Sequence, residues 1–122
     1  MSHPEGPWQQ PVFDHRQHVK FTWSVLGELP VEAATTLVAD EIREFADANA
    51  PGRYHETLTR FWVRLVAHTR AVGGGISDFG ALVGRFPVLM DRNASRKHYS
   101  EQLLFSPEAR SNFVEPDLRP LP

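Results

Sequence analysis

The sequence predicts an all-α fold, a single-domain up-down bundle of about four main helices with short C-terminal helical turns and an extended tail. Four segments carry apolar residues at the three- and four-residue spacing of an amphipathic helix. No run of four to eight residues combines regular alternation with the branched side chains typical of a strand. The length of 122 residues suits one domain and is too short for two of ordinary size.

The first two helices have clear start and stop signals. Asp14 followed by Gln17 is a variant of the capping box, which predicts a helix from His15 to Leu26, ended by Gly27. A second helix follows the proline at position 30 and runs to about residue 48, before an Ala-Pro-Gly turn. Residues 1–12, with three prolines, predict a flexible arm in front of a helical domain over residues 13–122.

The third and fourth helices are separated by three consecutive glycines. Helix 3 is predicted to begin near Tyr54 and to turn Leu58 and Trp62 inward. Ser77 is expected to cap a weaker helix 4, which Pro87 ends or kinks.

The remaining third of the chain has fewer periodic signals. Short helical turns are expected at residues 88–90 and after the Ser-Pro-Glu start signal at residues 106–108. Three prolines within residues 114–122 predict an extended segment that wraps the surface.

Composition and missing motifs argue against several classes of protein. The formal net charge is −2 and the basic residues are scattered, which disfavours nucleic-acid binding. No apolar stretch approaches the ~20 residues that span a bilayer, and the start lacks signal-peptide features, so we expect a cytoplasmic protein. The glycines at 73–75 lack the lysine of a phosphate-binding loop, so no nucleotide cofactor is expected.

Histidines are the strongest functional signal in the sequence. In an up-down-up topology, helices 1 and 3 begin at the same end of the bundle, and the end of helix 4 returns there. His15 and His18 begin helix 1, His55 begins helix 3, and His98 follows helix 4. We therefore expect these four side chains to meet, whereas His68 lies in the last turn of helix 3 and is expected to be structural.

The expected histidine cluster predicts a metal site. The chain has no cysteine, so any metal ligand must be a histidine or a carboxylate. The positive end of a helix dipole disfavours imidazolium, which keeps a first-turn histidine neutral and able to bind metal. We expect His15, His18 and His55 to bind the metal, with His98, Glu56 or water completing the ligand set. Imidazole ligands suit Zn, Fe, Ni or Cu.

An open coordination position would make this site catalytic. Tyr54, Glu56 and Tyr99 are the candidate proton-transfer residues of a metal-assisted hydrolase or lyase that acts on a small molecule. The alternative is a non-catalytic helical module that binds a ligand or a partner protein and uses its histidines structurally. The oligomeric state is left open by the sequence.

Three strings carry a resemblance to other proteins. FDHRQHV at residues 13–19, YHET at residues 54–57 and FSPEAR at residues 105–110 together resemble small bacterial proteins of unassigned function. The resemblance spans most of the chain and implies no activity, substrate or cofactor.

Overall fold

The described part of the chain, residues 14–122 of a computed structural model, is helical and contains no strand. The predicted all-α bundle is therefore confirmed. The predicted arm over residues 1–12 lies outside the described residues, as does Phe13. The four longer helices are α1 (His15–Leu26), α2 (Val31–Asn49), α3 (Glu56–Gly73) and α4 (Phe79–Arg85).

Helix α1 has the predicted limits because both of its ends are set locally. The Asp14 carboxylate accepts a hydrogen bond from the Gln17 main-chain N–H at 2.8 Å. The Gln17 side-chain oxygen in turn accepts from the Asp14 N–H at 3.1 Å, which completes the capping box. At the other end the Gly27 N–H donates to the Trp23 oxygen.

Helix α4 begins one residue later than the predicted cap implies. Its N-cap is Asp78, whose carboxylate accepts from the Ala81 N–H at 2.8 Å, so the assignment of Ser77 as the cap is wrong. The N-cap must directly precede the first helical residue, and that residue is the buried Phe79. Pro87 ends α4, as predicted, and opens a 3₁₀ turn over Pro87–Met90.

Short elements continue the chain after this turn. A second 3₁₀ turn, Ala94–Lys97, and the short helix α5, Glu101–Leu104, were not expected from the sequence. The last helix, α6, Pro107–Ser111, has the predicted start, because the Ser106 hydroxyl accepts from the Ala109 N–H at 3.1 Å.

Residues 112–122 form an extended strap over the bundle, in agreement with the prediction from their prolines. The Asp117 carboxylate accepts from both the main-chain N–H and the hydroxyl of Ser100, at 2.8 and 2.6 Å. The Leu118 N–H donates to the His98 oxygen at 2.9 Å. These contacts attach the strap to the residues that precede α5.

The first three helices have the predicted up-down-up order. His15 contacts Trp62, and Arg70 lies over the Trp23 ring, so α1 and α3 run parallel. Arg43, late in α2, reaches Glu56 at the start of α3, so α2 runs antiparallel to them. No helix within residues 14–122 has the length and apolar character needed to cross a bilayer.

The main core cluster joins α1, α3, α4 and the C-terminal elements. Its buried residues are Val19, Phe61, Trp62, Leu65, Val66, Phe79, Leu82, Leu89, Ala94, Tyr99 and Leu104. A smaller cluster of Val25, Ala34, Val38 and Val63 connects α2 to α1 and α3.

Candidate functional site

His15 and His18 lie one turn apart at the start of α1, as predicted. The His15 Nε2 lies 2.8 Å from the main-chain oxygen of Leu89 and must donate to it, because a carbonyl oxygen only accepts. The same ring meets the Trp62 ring edge to face, with centroids 4.5 Å apart. His15 therefore joins α1 to α3 and to the 3₁₀ turn Pro87–Met90.

Burial keeps both of these rings neutral. It lowers the pKa of His15, and the hydrogen bond to Leu89 offsets this only in part. Burial, together with the neighbouring His15, lowers the pKa of His18 to about 4. The neutral form predicted from the helix dipole is thus present mainly for another reason, the removal of the rings from water.

His55 is the N-cap of α3 and is 7% exposed. Its Nδ1 accepts from the Leu58 N–H at 3.1 Å, and its Nε2 donates to the Leu104 oxygen at 2.6 Å. Both ring nitrogens are used by the main chain, which specifies the Nε2-protonated tautomer. Burial lowers the pKa of His55, and the bond to Leu104 opposes that effect only in part.

The starts of α1 and α3 share one end of the bundle but are offset along it. His15 is level with Trp62, seven residues beyond His55. At 1.5 Å per residue, this offset amounts to about 10 Å along the helix axis. The predicted topology therefore does not bring His55 to the two histidines of α1.

His98 lies in contact with the strap. Its Nδ1 is 3.0 Å from the Arg119 oxygen and 3.1 Å from the Pro120 oxygen, so this nitrogen is the donor. Its ring packs near Phe61, with centroids 5.6 Å apart. His98 fastens residues 119 and 120 to the bundle, while His68 is exposed in α3.

Within residues 14–122, no group of three or more histidine, aspartate or glutamate side chains could hold a metal ion. The convergence expected of His15, His18, His55 and His98 is not formed in this part of the chain. The helix offset separates His55 from the first pair, and main-chain carbonyls accept from His15, His55 and His98.

Tyr54 and Glu56, two of the predicted catalytic residues, form one polar cluster with two arginines. One oxygen of the Glu56 carboxylate accepts from the Tyr54 hydroxyl at 2.6 Å and from Arg43 at 3.1 Å. The other accepts from the Arg60 Nε at 2.6 Å. The Arg43 guanidinium also lies over the Tyr54 ring, 4.8 Å from its centroid.

This cluster stabilises a charged carboxylate and a neutral phenol. Burial raises the pKa of Glu56, but hydrogen bonds from Tyr54 and Arg60 and the charges of Arg60 and Arg43 outweigh it, and the pKa is lowered. Burial, followed by the bond to Glu56, raises the pKa of Tyr54 to about 12. Neither group is adjusted toward neutral pH, where a general acid or base works best.

Tyr99, the third predicted catalytic residue, is fully buried. Its hydroxyl donates to the Val114 oxygen at 2.7 Å, which fixes the start of the strap. Burial, with the charge of Glu115 next in importance, raises the pKa of Tyr99 to about 12. The geometry makes Tyr99 an anchor between the core and the strap.

An open groove between α2 and α3 is a candidate binding site that the sequence did not predict. Its volume is about 500 Å³, within the range of small-molecule sites. It is lined by Val31, Glu32, Thr35 and Thr36 of α2, Arg60 and Arg64 of α3, and Phe113 of the strap. The sequence offered one sign of this groove, the pair Arg60 and Arg64, which lie four residues apart on the helix face opposite the apolar stripe. The other lining residues belong to α2 and the strap and approach the arginines only in the folded chain.

Comparisons of this chain with protein-family models, with curated proteins and with solved structures find no match.

Proposed function

We propose that this chain is a non-catalytic helical module that binds a small molecule in the α2–α3 groove. The observation that carries the proposal is the mixed lining of a groove of about 500 Å³. Val31 and Phe113 offer apolar contact, while Thr35 and Arg64 offer polar groups at the same opening. Binding sites for small molecules characteristically combine an apolar wall with a few polar groups that orient the ligand.

The bonding of the predicted catalytic residues supports binding over catalysis. Tyr54 and Glu56 are engaged with each other, and the Tyr99 hydroxyl is engaged with the strap.

The bonding of the histidines supports the same proposal. Each of His15, His55 and His98 donates to a main-chain oxygen of a residue distant in sequence. These bonds join α1, α3 and the strap to their neighbours. They give each of the three histidines a structural role, for which no metal-assisted reaction is needed. The proposal corresponds to the ligand-binding module that the sequence left open as an alternative.

A fragment screen by NMR tests the proposal. In the ¹⁵N-labelled protein, the amide shifts caused by bound fragments are expected to concentrate at residues 31–36, 60–64 and 113. Thr36→Trp places a large side chain in the groove and is expected to abolish these shifts. Ala48→Trp adds the same bulk at an exposed position near the other end of α2 and is expected to leave them unchanged.

Two outcomes would contradict the proposal. The first is a set of shifts that map away from the groove. The second is equal loss of binding in the Thr36 and Ala48 variants, since bulk at a distant exposed site does not fill the groove.

A further inference from the structure

The α2–α3 groove carries two guanidinium groups with hydrogen-bond donors that no residue of 14–122 accepts from. Arg64 is exposed and forms no hydrogen bond or ion pair with another residue of 14–122. Arg60 donates from Nε to Glu56, and no bond within the described chain uses its two terminal nitrogens. Arginine presents its donors in a planar fork that matches a carboxylate or a phosphate.

Glu56 positions Arg60 through its Nε and does not use the two terminal nitrogens of the guanidinium group. Its side chain is 9% exposed and accepts the Arg60 Nε at 2.6 Å, which restrains the arginine four residues later on α3. The same carboxylate also binds Arg43 and Tyr54. Arg43 has a second carboxylate partner in Asp40, at 3.2 Å, so the cluster is balanced in charge. What it leaves to the groove is the pair of terminal Arg60 nitrogens, which can donate to a ligand.

Glu32 limits the charge that the groove can accept. Its carboxylate lines the same groove as Arg60 and Arg64, yet it forms an ion pair with neither. Among residues 14–122, two positive groups and one negative group therefore line the groove. One negative charge on a ligand is favoured, whereas a second meets the Glu32 carboxylate and finds no further cation in this described lining.

Two apolar side chains complete the groove. Val31 is 45% exposed at the start of α2, and the half-buried Phe113 closes the groove from the strap. A ligand whose apolar body covers these side chains removes apolar surface from water.

We propose, on the basis of the ligand-binding function above, that the α2–α3 groove takes a small amphipathic monocarboxylate. Its carboxylate is bound by Arg64 together with the terminal nitrogens of Arg60. Its apolar body lies against Val31 and Phe113. Glu32 discriminates against dianions, so the preferred ligand carries one negative charge.

A matched pair of probes tests the carboxylate preference. We expect 3-phenylpropanoate to bind the full chain roughly tenfold more tightly than 3-phenylpropanamide at low ionic strength, because the amide keeps the apolar body and lacks the charge. NMR titration gives both affinities and maps both probes onto the groove. The advantage of the carboxylate is expected to shrink as salt is added, since the arginines are exposed.

Matched variants test the residues. Arg64→Gln is expected to reduce the advantage of the carboxylate over the amide to about twofold or less. Arg92→Gln removes the same charge from an exposed position outside the groove and is expected to retain the advantage. Glu32→Gln is expected to tighten binding of phenyl phosphate more than binding of 3-phenylpropanoate.

The outcomes separate this inference from the function on which it rests. Equal binding of carboxylate and amide in the groove would overturn the charge preference and leave the binding function standing. Phenyl phosphate binding more tightly than the carboxylate in the unchanged protein would overturn the preference for a monoanion. If neither these probes nor the wider fragment set shifts the amide signals of the groove, both proposals are overturned.

Discussion

His55 donates from its Nε2 to the Leu104 main-chain oxygen at 2.6 Å while its Nδ1 caps the helix it precedes. One imidazole thus satisfies an N–H group at the start of α3 and a carbonyl group at the end of α5. Because both bonds are to the main chain, the ring is part of the frame that holds the C-terminal elements against α3.

Replacing His55 with Ala is expected to lower the free energy of unfolding by about 2–3 kcal/mol. The change removes the helix cap, worth roughly 1 kcal/mol, and leaves the Leu104 oxygen without this partner, at a cost of about 1–2 kcal/mol. Urea denaturation measures the difference. His68→Ala, at an exposed position of α3, is the control and is expected to change stability by less than about 0.5 kcal/mol.

Acidification is expected to destabilise the fold through the histidines of α1. In the unfolded chain His18 takes up its proton near pH 6.5, whereas in the folded chain it does so at about 4. The unfolded state therefore binds more protons between these values, and stability falls as the pH decreases through this window.

The size of this effect can be measured by denaturation at two pH values. The His18 shift alone corresponds to a loss on the order of 1–2 kcal/mol between pH 7 and pH 5. His15 and His55, whose pKa values are also lowered, add to it in the same direction. His18→Gln is expected to reduce the pH dependence, and an unchanged slope in that variant would rule out His18 as its source.

Tyr99→Phe is expected to loosen the strap and to cost about 1–2 kcal/mol of stability. The variant keeps the buried ring but removes the hydroxyl that donates to the Val114 oxygen, which stays partly buried. Hydrogen exchange checks the location of the effect. The Leu118 and Arg119 amides, which donate to the His98 oxygen, are expected to exchange faster, while the α2 amides keep their protection.

The two core tryptophans are expected to differ in their contributions to stability. Trp62 is 4% exposed, so Trp62→Ala is expected to cost about 3–5 kcal/mol. Trp23 is half-buried between the Phe79 ring and the Arg70 guanidinium, so its truncation is expected to cost less. Denaturation midpoints check the order, and a larger loss for Trp23→Ala would contradict the faces assigned to α1 and α3.

Local signals explain how much of the fold could be predicted from the sequence. The limits of α1 depend on Asp14, Gln17 and Gly27, which all lie within the helix or directly beside it. The cap of α4 was misassigned because Ser77 and Asp78 are adjacent and both suit the position. The choice between them depends on where Phe79 enters the core, which is a tertiary property.

The candidate site was less predictable because it depends on distances between helices. The spacing of apolar residues specifies which face of a helix is buried, but it does not specify how far one helix is displaced along the axis of its neighbour. The contact of His15 with Trp62 shows that offset, which separates His55 from the start of α1. The groove likewise requires Phe113 to reach α2, which no local pattern near residue 113 indicates.

The strap has a consequence for the order of events during synthesis. Helices α1 to α3 leave the ribosome well before residues 112–122, yet Val114 and Leu121 pack against the main core cluster. Until those residues emerge, the Tyr99 hydroxyl of the nascent bundle lacks its hydrogen bond to the Val114 oxygen. The part of the core that Val114 and Leu121 cover is then exposed to water. We therefore expect ribosome-bound chains that stop before residue 112 to be bound by chaperones and cleaved by proteases more readily than chains that include the strap.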